Sequence, residues 1–294
     1  MTIICWWSGG VTSAVACKLA VDIYGLEQCR LIMIDTGNED KDTYRFKKDC
    51  EVWYGKPIES ISRIGTDYES IADVWERFES LNTANGAICS SELKRTVRER
   101  FQKNNQYDHQ VFGFEFDKKE FNRALSFSKI LKAKAIYPLL MMGYDKEDCI
   151  RILGEVGIEI PRSYKLGFRN NNCFKTGCVQ GGIGYWQKMQ VEFPDKFDKM
   201  AEMEHKLTDL RGEPVTMLKD QSNDSLALVK STGDKWRGLV FLKPHPDWPT
   251  VKCLADMPKR EVKPLADCNG FCGMDYLTEK NPTKDEINFD SFEI

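Results

Sequence analysis

The sequence predicts an α/β fold: a doubly wound, mostly parallel five-stranded sheet with helices on both faces. Short apolar runs alternate with helix-patterned segments up to about residue 155, and the first two runs end in polar turns. With 294 residues and 41% hydrophobic content, the chain can bury a full core. From about residue 161 the chain is rich in Asn, Gly, Cys and aromatic residues, which predicts a smaller irregular region.

The predicted elements follow the apolar pattern. Strands are expected at residues 3–7, 31–34, 57–62, 110–114 and 135–137, and helices at about 12–24, 40–53, 67–79, 90–103, 118–132 and 145–154. Val15, Leu19 and Ile23 give the first helix one apolar face, and Gly25 marks its end. The last helix is expected to begin at Asp145 as N-cap.

The turn between the first strand and the first helix has the composition of a phosphate-binding loop. Residues 8–13 read Ser-Gly-Gly-Val-Thr-Ser. Glycines let the backbone approach an anion, hydroxyls add donors, and the helix N-terminus presents its N–H groups. No Lys follows the glycines, so the turn is neither a Walker loop nor a dinucleotide-binding fingerprint. A plain tight turn is the alternative.

The second strand ends in Asp35, Thr36 and Gly37. Because neighbouring parallel strands end at the same edge of a sheet, this turn is expected beside the first one.

These two turns resemble the PP-loop ATP pyrophosphatase superfamily, also called adenine nucleotide alpha hydrolases. The chain is most similar to its phosphoadenosine phosphosulfate reductase branch. Further marks of the resemblance lie between residues 3 and 190: Gly-Phe-Glu at 113–115 with Arg123, Cys-Ser-Ser-Glu-Leu-Lys-Arg at 89–95, Tyr-Pro-Leu at 137–139, and residues 164–168 leading to Cys173 and Cys178.

Two positions depart from the family pattern. Thr12 stands where the family commonly has Asp, so a carboxylate that could help hold a metal–pyrophosphate group is missing. Residues 267–273, Asp-Cys-Asn-Gly-Phe-Cys-Gly, replace the Glu-Cys-Gly-hydrophobic-His segment of true sulfonucleotide reductases.

The resemblance implies roles for the site residues. Phosphate or sulfate oxygens would be held by Ser8, Gly9, Gly10, Thr12 and Ser13. Asp35, Thr36 and Gly37 would frame the adenosine, and Lys94, Arg95 and Arg123 would neutralise charge during group transfer. The nucleotide-binding domain is expected over 1–160. A Cys/Gly-rich segment packed on it is expected over 161–294, with a loose acidic tail from about 281 to 294.

The eleven cysteines fit a reducing compartment better than a secreted disulfide framework. Five fall in strand or helix patterns and are predicted core residues: Cys5, Cys17, Cys29, Cys50 and Cys149. Five others lie in polar or glycine-rich surroundings suited to a metal: Cys89, Cys173, Cys178, Cys268 and Cys272.

By the resemblance, Cys89, Cys173 and Cys178 are the first ligands expected for a [4Fe–4S] cluster, with Cys268 or Cys272 as the fourth. A structural Zn²⁺ held by Cys173, Cys178, Cys268 and Cys272 is the rival. The remaining cysteine would be the nucleophile or sulfur carrier. Two further alternatives stay open: reactive thiols without metal, with Cys268 and Cys272 as catalytic candidates, and inert cysteines.

Charge and hydropathy limit the classes of partner that the sequence predicts. With a net charge of −3, the chain as a whole lacks the basic character typical of proteins that bind nucleic acid. A solvated helix face is favoured for the basic residues Lys94, Arg95, Arg98 and Arg100. No apolar run approaches the roughly 20 residues of a membrane span, and the N-terminal residues lack the pattern of a signal peptide. A cytoplasmic protein is expected.

Two smaller features favour structural roles. Trp6, Trp7 and Trp186 are expected to pack in a core or lid, although their neighbours would place them near a nucleotide. Residues 181–184, Gly-Gly-Ile-Gly, are expected to form a hinge rather than a second anion loop.

The leading function is that of an adenine-nucleotide-dependent enzyme of sulfur chemistry. ATP, with Mg²⁺, would adenylate an acceptor with release of pyrophosphate, and sulfur would then displace AMP. One alternative is reduction of phosphoadenosine phosphosulfate to sulfite, and another is a non-catalytic nucleotide-binding module. The acceptor, nucleic acid or small molecule, is open, as are a sulfur- or electron-donor protein and a homo-oligomer.

Overall fold

The computed structural model describes residues 1–83, 86–130, 134–171, 173–263 and 265. Its strands are β1 Ile3–Trp6, β2 Cys29–Ile34, β3 Glu59–Ile61, β4 Asn82–Thr83, β5 Gly86–Ala87, β6 His109–Val111, β7 Lys134–Ile136, β8 Leu218–Lys219, β9 Leu239–Phe241 and β10 Lys252–Cys253. Five of them form one parallel sheet in the order β3-β2-β1-β6-β7. The predicted fold class is confirmed.

Helices connect the strands. They are α1 Val11–Tyr24, α2 Lys41–Tyr54, α3 Ile71–Arg77, α4 Ile88–Ser90, α5 Thr96–Asn104, α6 Lys118–Ile130, α7 Pro138–Met142, α8 Lys146–Glu155, α9 Arg162–Lys165, α10 Ile183–Glu192, α11 Pro194–Arg211 and α12 Asn223–Thr232. A π-helical turn, Ser91–Arg95, joins α4 to α5. Short 3₁₀ turns occur at Lys235–Gly238 and Leu254–Asp256.

The central strand shows why the sheet is covered on both faces. Successive side chains of a strand point to opposite faces. Ile3 and Cys5 of β1 lie in a core that also contains residues of α1, α2 and α8. Ile4 and Trp6 lie in a second core with residues of α5 and α6. All four side chains are buried, as expected of a parallel sheet between two helical layers.

A third core joins distant parts of the chain. It combines buried residues between positions 68 and 93 with others between 168 and 257, around Trp75, Trp186 and Phe197. The helices α10 and α11 contribute to this core, and so does the small sheet of β8, β9 and β10. The described residues of this core that lie beyond 161 therefore share it with residues 68–93.

The sequence-based elements and the structure differ in several places. The helix expected over 90–103 is divided by the π-helical turn. No helix was predicted where α7, α9, α10, α11 and α12 lie, and no strand where β4, β5, β8, β9 and β10 lie. The expected tail lies outside the described residues, as do Cys268 and Cys272. Within the described part of the chain, no helix combines the length and apolar character needed to cross a bilayer.

Candidate anion-binding site

The loop from β1 to α1 depends on two adjacent glycines. Gly9 has φ +87°, a conformation that L-residues with a side chain rarely adopt. A Cβ at this position would lie 2.8 Å from Cγ2 of Thr43, so the loop is also too close to α2 for a side chain. Gly10 is the N-cap of α1 and supplies no side-chain acceptor for the first N–H groups of the helix. By contrast, the carboxylate of Asp40 caps α2.

Hydroxyl groups bind the loop to the first turn of α1. The backbone N–H and the hydroxyl of Ser8 each donate to Oγ of Ser13, and both bonds are 3.0 Å long. The Ser13 hydroxyl donates in turn to the Gly10 carbonyl at 2.9 Å. Thr12 and Ser13 are buried. The predicted residues 8–10, 12 and 13 thus form one compact turn at a helix N-terminus whose N-cap has no side chain, which is an arrangement that favours an anion.

The sheet order places this turn at a topological switch point. From β1 the chain runs outward through β2 and β3 on one side, whereas β6 and β7 lie on the other. Ligands of open α/β sheets bind outside the carboxyl ends of the strands at such a point. Gly113, two residues beyond β6, borders it closely: a Cβ there would lie 2.6 Å from Cα of Ser13.

The second predicted turn, after β2, lies at the same edge but uses its polar groups internally. Asp35 accepts hydrogen bonds from the Gly37 N–H at 2.8 Å and from the Tyr44 hydroxyl at 2.9 and 3.0 Å. Burial and the Asp35 carboxylate raise the pKa of Tyr44 well above its usual range. The Thr36 hydroxyl donates to Glu39 at 3.0 Å. These bonds fix the turn's shape, and its role toward adenosine remains a prediction.

A segment that is distant along the chain, residues 162–171, contacts the loop between β1 and α1. The Val11 N–H donates to the Tyr164 hydroxyl, a long bond of 3.4 Å. The Asn171 side-chain amide donates to the carbonyl of Gly9 at 3.0 Å and to the Thr43 hydroxyl at 2.9 Å. Sequence reasoning placed neither Asn171 nor Thr43 in the site. No local pattern signals these contacts, because 162 positions separate Asn171 from Gly9 along the chain.

An ion-pair group fastens the same segment to α2. Arg162 bonds to the Asp40 carboxylate at 2.5 Å, and its backbone N–H donates to Asp42 at 2.7 Å. Lys196 of α11 lies 3.7 Å from Asp40. Burial lowers the pKa of Lys196. Three separate parts of the chain therefore meet at the N-terminus of α2.

The cationic candidates are placed differently from one another. Lys94 and Arg98, one helical turn apart, are buried, so the solvated face expected for this run is wrong for these two. Burial lowers the pKa of Arg98 to about 10. Arg95 is half-buried and Arg100 exposed. Arg123 donates to both carboxylate oxygens of Glu120 at 2.7 Å, a buried pair that offsets its charge locally.

The predicted core cysteines, Cys5, Cys17, Cys29, Cys50 and Cys149, are all fully buried in the first core, which confirms their assignment. Burial raises the pKa of the Cys50 thiol to about 12, as befits an unreactive core thiol. Cys253, which the motif reasoning did not consider, is also buried, on β10.

Three of the predicted metal ligands share the third core. Cys89, Cys173 and Cys178 are all buried there, although Cys89 lies more than 80 positions from the other two. Cys173 has φ +50°, which is rare for a residue with a side chain. Among the residues with described positions, no three His, Cys, Asp or Glu side chains are arranged to hold a metal ion. The metal remains a prediction.

The remaining candidates are structural. Trp6, Trp7 and Trp186 are buried in the three cores, one in each, as favoured from the sequence. Gly184 lies against backbone, because a Cβ there would lie 2.1 Å from the carbonyl oxygen of Glu261. Close packing thus accounts for one glycine of the 181–184 run. This run borders a cavity of about 810 Å³.

Comparison with known proteins gives similarity in fold. No protein-family model matches the chain, and no curated protein matches it in sequence. Among solved structures, it is similar to a phosphoadenylyl-sulfate reductase from Candida auris in complex with phosphate, with 15% identity and a TM-score of 0.42, covering 57% of this chain and 79% of that one.

It is also similar to the U34-tRNA thiolase NcsA of Methanococcus maripaludis with its [4Fe–4S] cluster, with 15% identity and a TM-score of 0.36, covering 70% of this chain and 72% of that one. The assignment of the site rests on the geometry of the loop. The resemblance to the PP-loop ATP pyrophosphatase superfamily rests on the loop sequence and on the order of the motifs along the chain.

Proposed function

We propose that this protein is an adenine-nucleotide-dependent enzyme of sulfur chemistry, which adenylates an acceptor from Mg-ATP, releases pyrophosphate and then transfers sulfur. The observation that carries the proposal is the Gly9–Gly10 turn at the switch point. There Gly10, the N-cap of the 14-residue helix α1, has no side chain that could accept from the first N–H groups. An anion at this turn would accept a hydrogen bond at the helix N-terminus, as the Asp40 carboxylate does in α2.

The proposed chemistry starts from a nucleotide whose phosphates would lie at this turn. Phosphate oxygens at the turn would take hydrogen bonds from backbone N–H groups, while the Ser8 and Ser13 hydroxyls hold the turn in shape through their bonds to one another and to the Gly10 carbonyl. An oxygen of the acceptor attacks the α-phosphorus, and the bond from that phosphorus to the pyrophosphate oxygen breaks. A sulfur nucleophile then attacks the activated carbon, and AMP leaves with its oxygen. Fixed donors at the turn stabilise charge as it moves onto the departing pyrophosphate.

We propose that the sulfur carrier is one of the predicted ligand cysteines, which lie outside the two cores that cover the faces of the five-stranded sheet. Cys89, Cys173 and Cys178 share one core, and Cys268 and Cys272 complete the predicted set. A [4Fe–4S] cluster, when bound, would hold or deliver the sulfur, and a Zn²⁺ ion would instead hold the segment together. We propose the first of these roles.

Calorimetric titration of anaerobically purified protein with Mg-ATP, and separately with phosphoadenosine phosphosulfate, tests the proposal. We expect saturable binding of Mg-ATP with little or no binding of the sulfonucleotide. Preferential binding of the sulfonucleotide would overturn adenylation in favour of a reductase. Binding of ATP without pyrophosphate release, across nucleic-acid and small-molecule acceptors, would indicate a nucleotide-binding module.

A further inference from the structure

We infer that Asn171 is a positioning residue of the anion loop, which holds the Gly9–Gly10 peptide so that the Gly10 N–H faces the bound phosphate. The inference rests on the proposed function, because it assigns a task to a residue behind the same site. Asn171 acts through its bond to the Gly9 carbonyl and is not proposed to contact the ligand itself.

The hydrogen bonds of Asn171 determine its orientation. It is 2% exposed, and its Nδ2 donates both to the Gly9 carbonyl and to Oγ1 of Thr43. Its Oδ1 accepts from the hydroxyl of Ser163 at 2.8 Å. An amide nitrogen has two N–H groups, and the two acceptors use both of them. The buried side chain thus cannot turn over without losing three hydrogen bonds.

The geometry of the peptide bond transfers this orientation to the site. No cis peptide occurs among the described residues. In a planar trans peptide the C=O and the following N–H point in opposite directions. Because Asn171 draws the carbonyl oxygen of Gly9 toward itself, the N–H of Gly10 points away from Asn171.

A pair of glycines needs such a restraint. Glycine populates positive and negative φ with similar ease, so a Gly-Gly turn can flip its central peptide at little cost. A flipped peptide would present a carbonyl oxygen to the anion. The anion loop therefore depends on an external donor to keep its N–H in place.

The test compares Asn171→Asp with the natural protein, using pyrophosphate as the probe. Aspartate keeps the shape but loses both N–H groups, and its carboxylate would repel the Gly9 carbonyl oxygen. We expect pyrophosphate to bind about tenfold more weakly at pH 8, in line with loss of one buried hydrogen bond and its consequences. Asn82→Asp is the matched control, since Asn82 also donates to a backbone carbonyl, that of Val179, at 2.6 Å.

The pH dependence separates positioning from mere support of the fold. A protonated aspartic acid regains a donor for the carbonyl of Gly9. The ratio of the Asn171→Asp dissociation constant to that of the natural protein, both measured at the same pH, should therefore fall as the pH is lowered. For Asn171→Ala, which has no donor at any pH, this ratio should stay constant.

The NMR signal of the Gly10 amide reports directly on the Gly9–Gly10 peptide. In protein labelled with ¹⁵N-glycine, the Gly10 amide resonance, assigned by its loss in Gly10→Ala, should shift when pyrophosphate is added. The shift should be absent in Asn171→Ala. If Asn171→Asp does not fold, Ser163→Ala serves instead: it frees the amide to rotate and should weaken binding less, by a few-fold.

Unchanged pyrophosphate affinity in the folded Asn171 variants, with the Gly10 shift intact, would overturn the inference while leaving the proposed function standing. The same result in Ser163→Ala would do so if the Asn171 variants do not fold. Absence of ATP and pyrophosphate binding in the natural protein would instead overturn both.

Discussion

The carboxyl group of Glu204 is buried where α11 packs against the small sheet of β8, β9 and β10. Its side chain is fully buried, and its two oxygens accept from the backbone N–H groups of Met217 at 2.8 Å and Leu242 at 2.7 Å. These bonds favour the carboxylate, but burial outweighs them and raises the pKa of Glu204 to about 8. One residue thus links the stability of this region to pH.

The sign of the link follows from proton binding. Between the ordinary glutamate pKa of about 4.3 and the folded value, the folded protein holds a proton that the unfolded chain has released. The free energy of unfolding should therefore decrease as the pH rises through this range, by up to about 1.4 kcal/mol per pH unit from this group. Urea unfolding at several pH values from 5 to about 8 measures it.

Glu204→Gln should remove this slope, although the amide will destabilise the fold by placing an N–H group against a backbone N–H. The control is Glu202→Gln, since Glu202 is exposed on the same helix and should leave the slope unchanged. An identical pH slope in Glu204→Gln would show that the carboxyl is not the group that titrates.

At the scale of elements, the connection from β6 to α6 packs directly on the first turn of α1. A Cβ on Gly113 would lie 2.6 Å from Cα and 2.7 Å from the backbone nitrogen of Ser13, where no flexible side chain can move away. Gly113→Ala should therefore destabilise the protein by about 1–3 kcal/mol and weaken nucleotide binding, because the backbone of the anion loop must shift.

Gly154 is a second glycine, for which we expect alanine to change the stability in the opposite direction. It lies within α8, and a Cβ there would meet nothing within 4 Å. Gly154→Ala should stabilise the protein by about 0.5–1 kcal/mol through helix propensity. Chemical denaturation of the two variants tests the pair. Equal effects of both alanines would mean that the approach of Gly113 to α1 does not constrain the loop.

Elements with a clear local signal could be predicted from the sequence, and elements that depend on distant partners could not. Asp145 caps α8 in a capping box with Asp148, as its position before an apolar period indicates. The helix α11 escaped prediction because its buried face includes the acidic Glu204 and because Pro194 suggests a break, whereas it stands at the first position of the helix.

Dependence on distant partners also explains why the burial of two cationic side chains could not be predicted. Lys94 and Arg98 lie four residues apart in a strongly charged run, which by itself indicates a solvated face. Their burial arises from tertiary packing around the π-helical turn, and no periodicity in the sequence encodes that. The glycines of the anion loop could be identified because their chemistry is local. Asn171 and Tyr164, which complete the site, come from far along the chain.

At the scale of the whole molecule, the third core joins the two halves of the sequence and collects Cys89, Cys173 and Cys178. If these thiols belong to an iron–sulfur site, replacing any of them by serine should abolish the iron bound to anaerobically purified protein. Cys253→Ser is the control, since Cys253 is also buried but lies on β10, and its iron content should stay unchanged.

Iron content by metal analysis and the absorption spectrum of the cluster decide this prediction. Zinc in place of iron, lost on changing Cys173 or Cys178 but retained in Cys89→Ser, would contradict it and favour the structural zinc site.

The most direct test of the central claim, that the Gly9–Gly10 turn is the nucleotide phosphate site, compares two glycines at the opposite ends of the α1 region. Gly9 and Gly25 have φ +87° and +90°, so alanine is strained at both. Only at Gly9 would the Cβ also collide with a neighbour, while Gly25 has nothing within 4 Å.

The measurement is calorimetric titration of Gly9→Ala and Gly25→Ala with Mg-ATP, with thermal unfolding to show that both variants are folded. The predicted result is at least about tenfold weaker binding in Gly9→Ala, from a displaced set of charge-assisted hydrogen bonds, with natural affinity in Gly25→Ala. Equal affinity in the two folded variants would contradict the claim and place the nucleotide elsewhere on the protein.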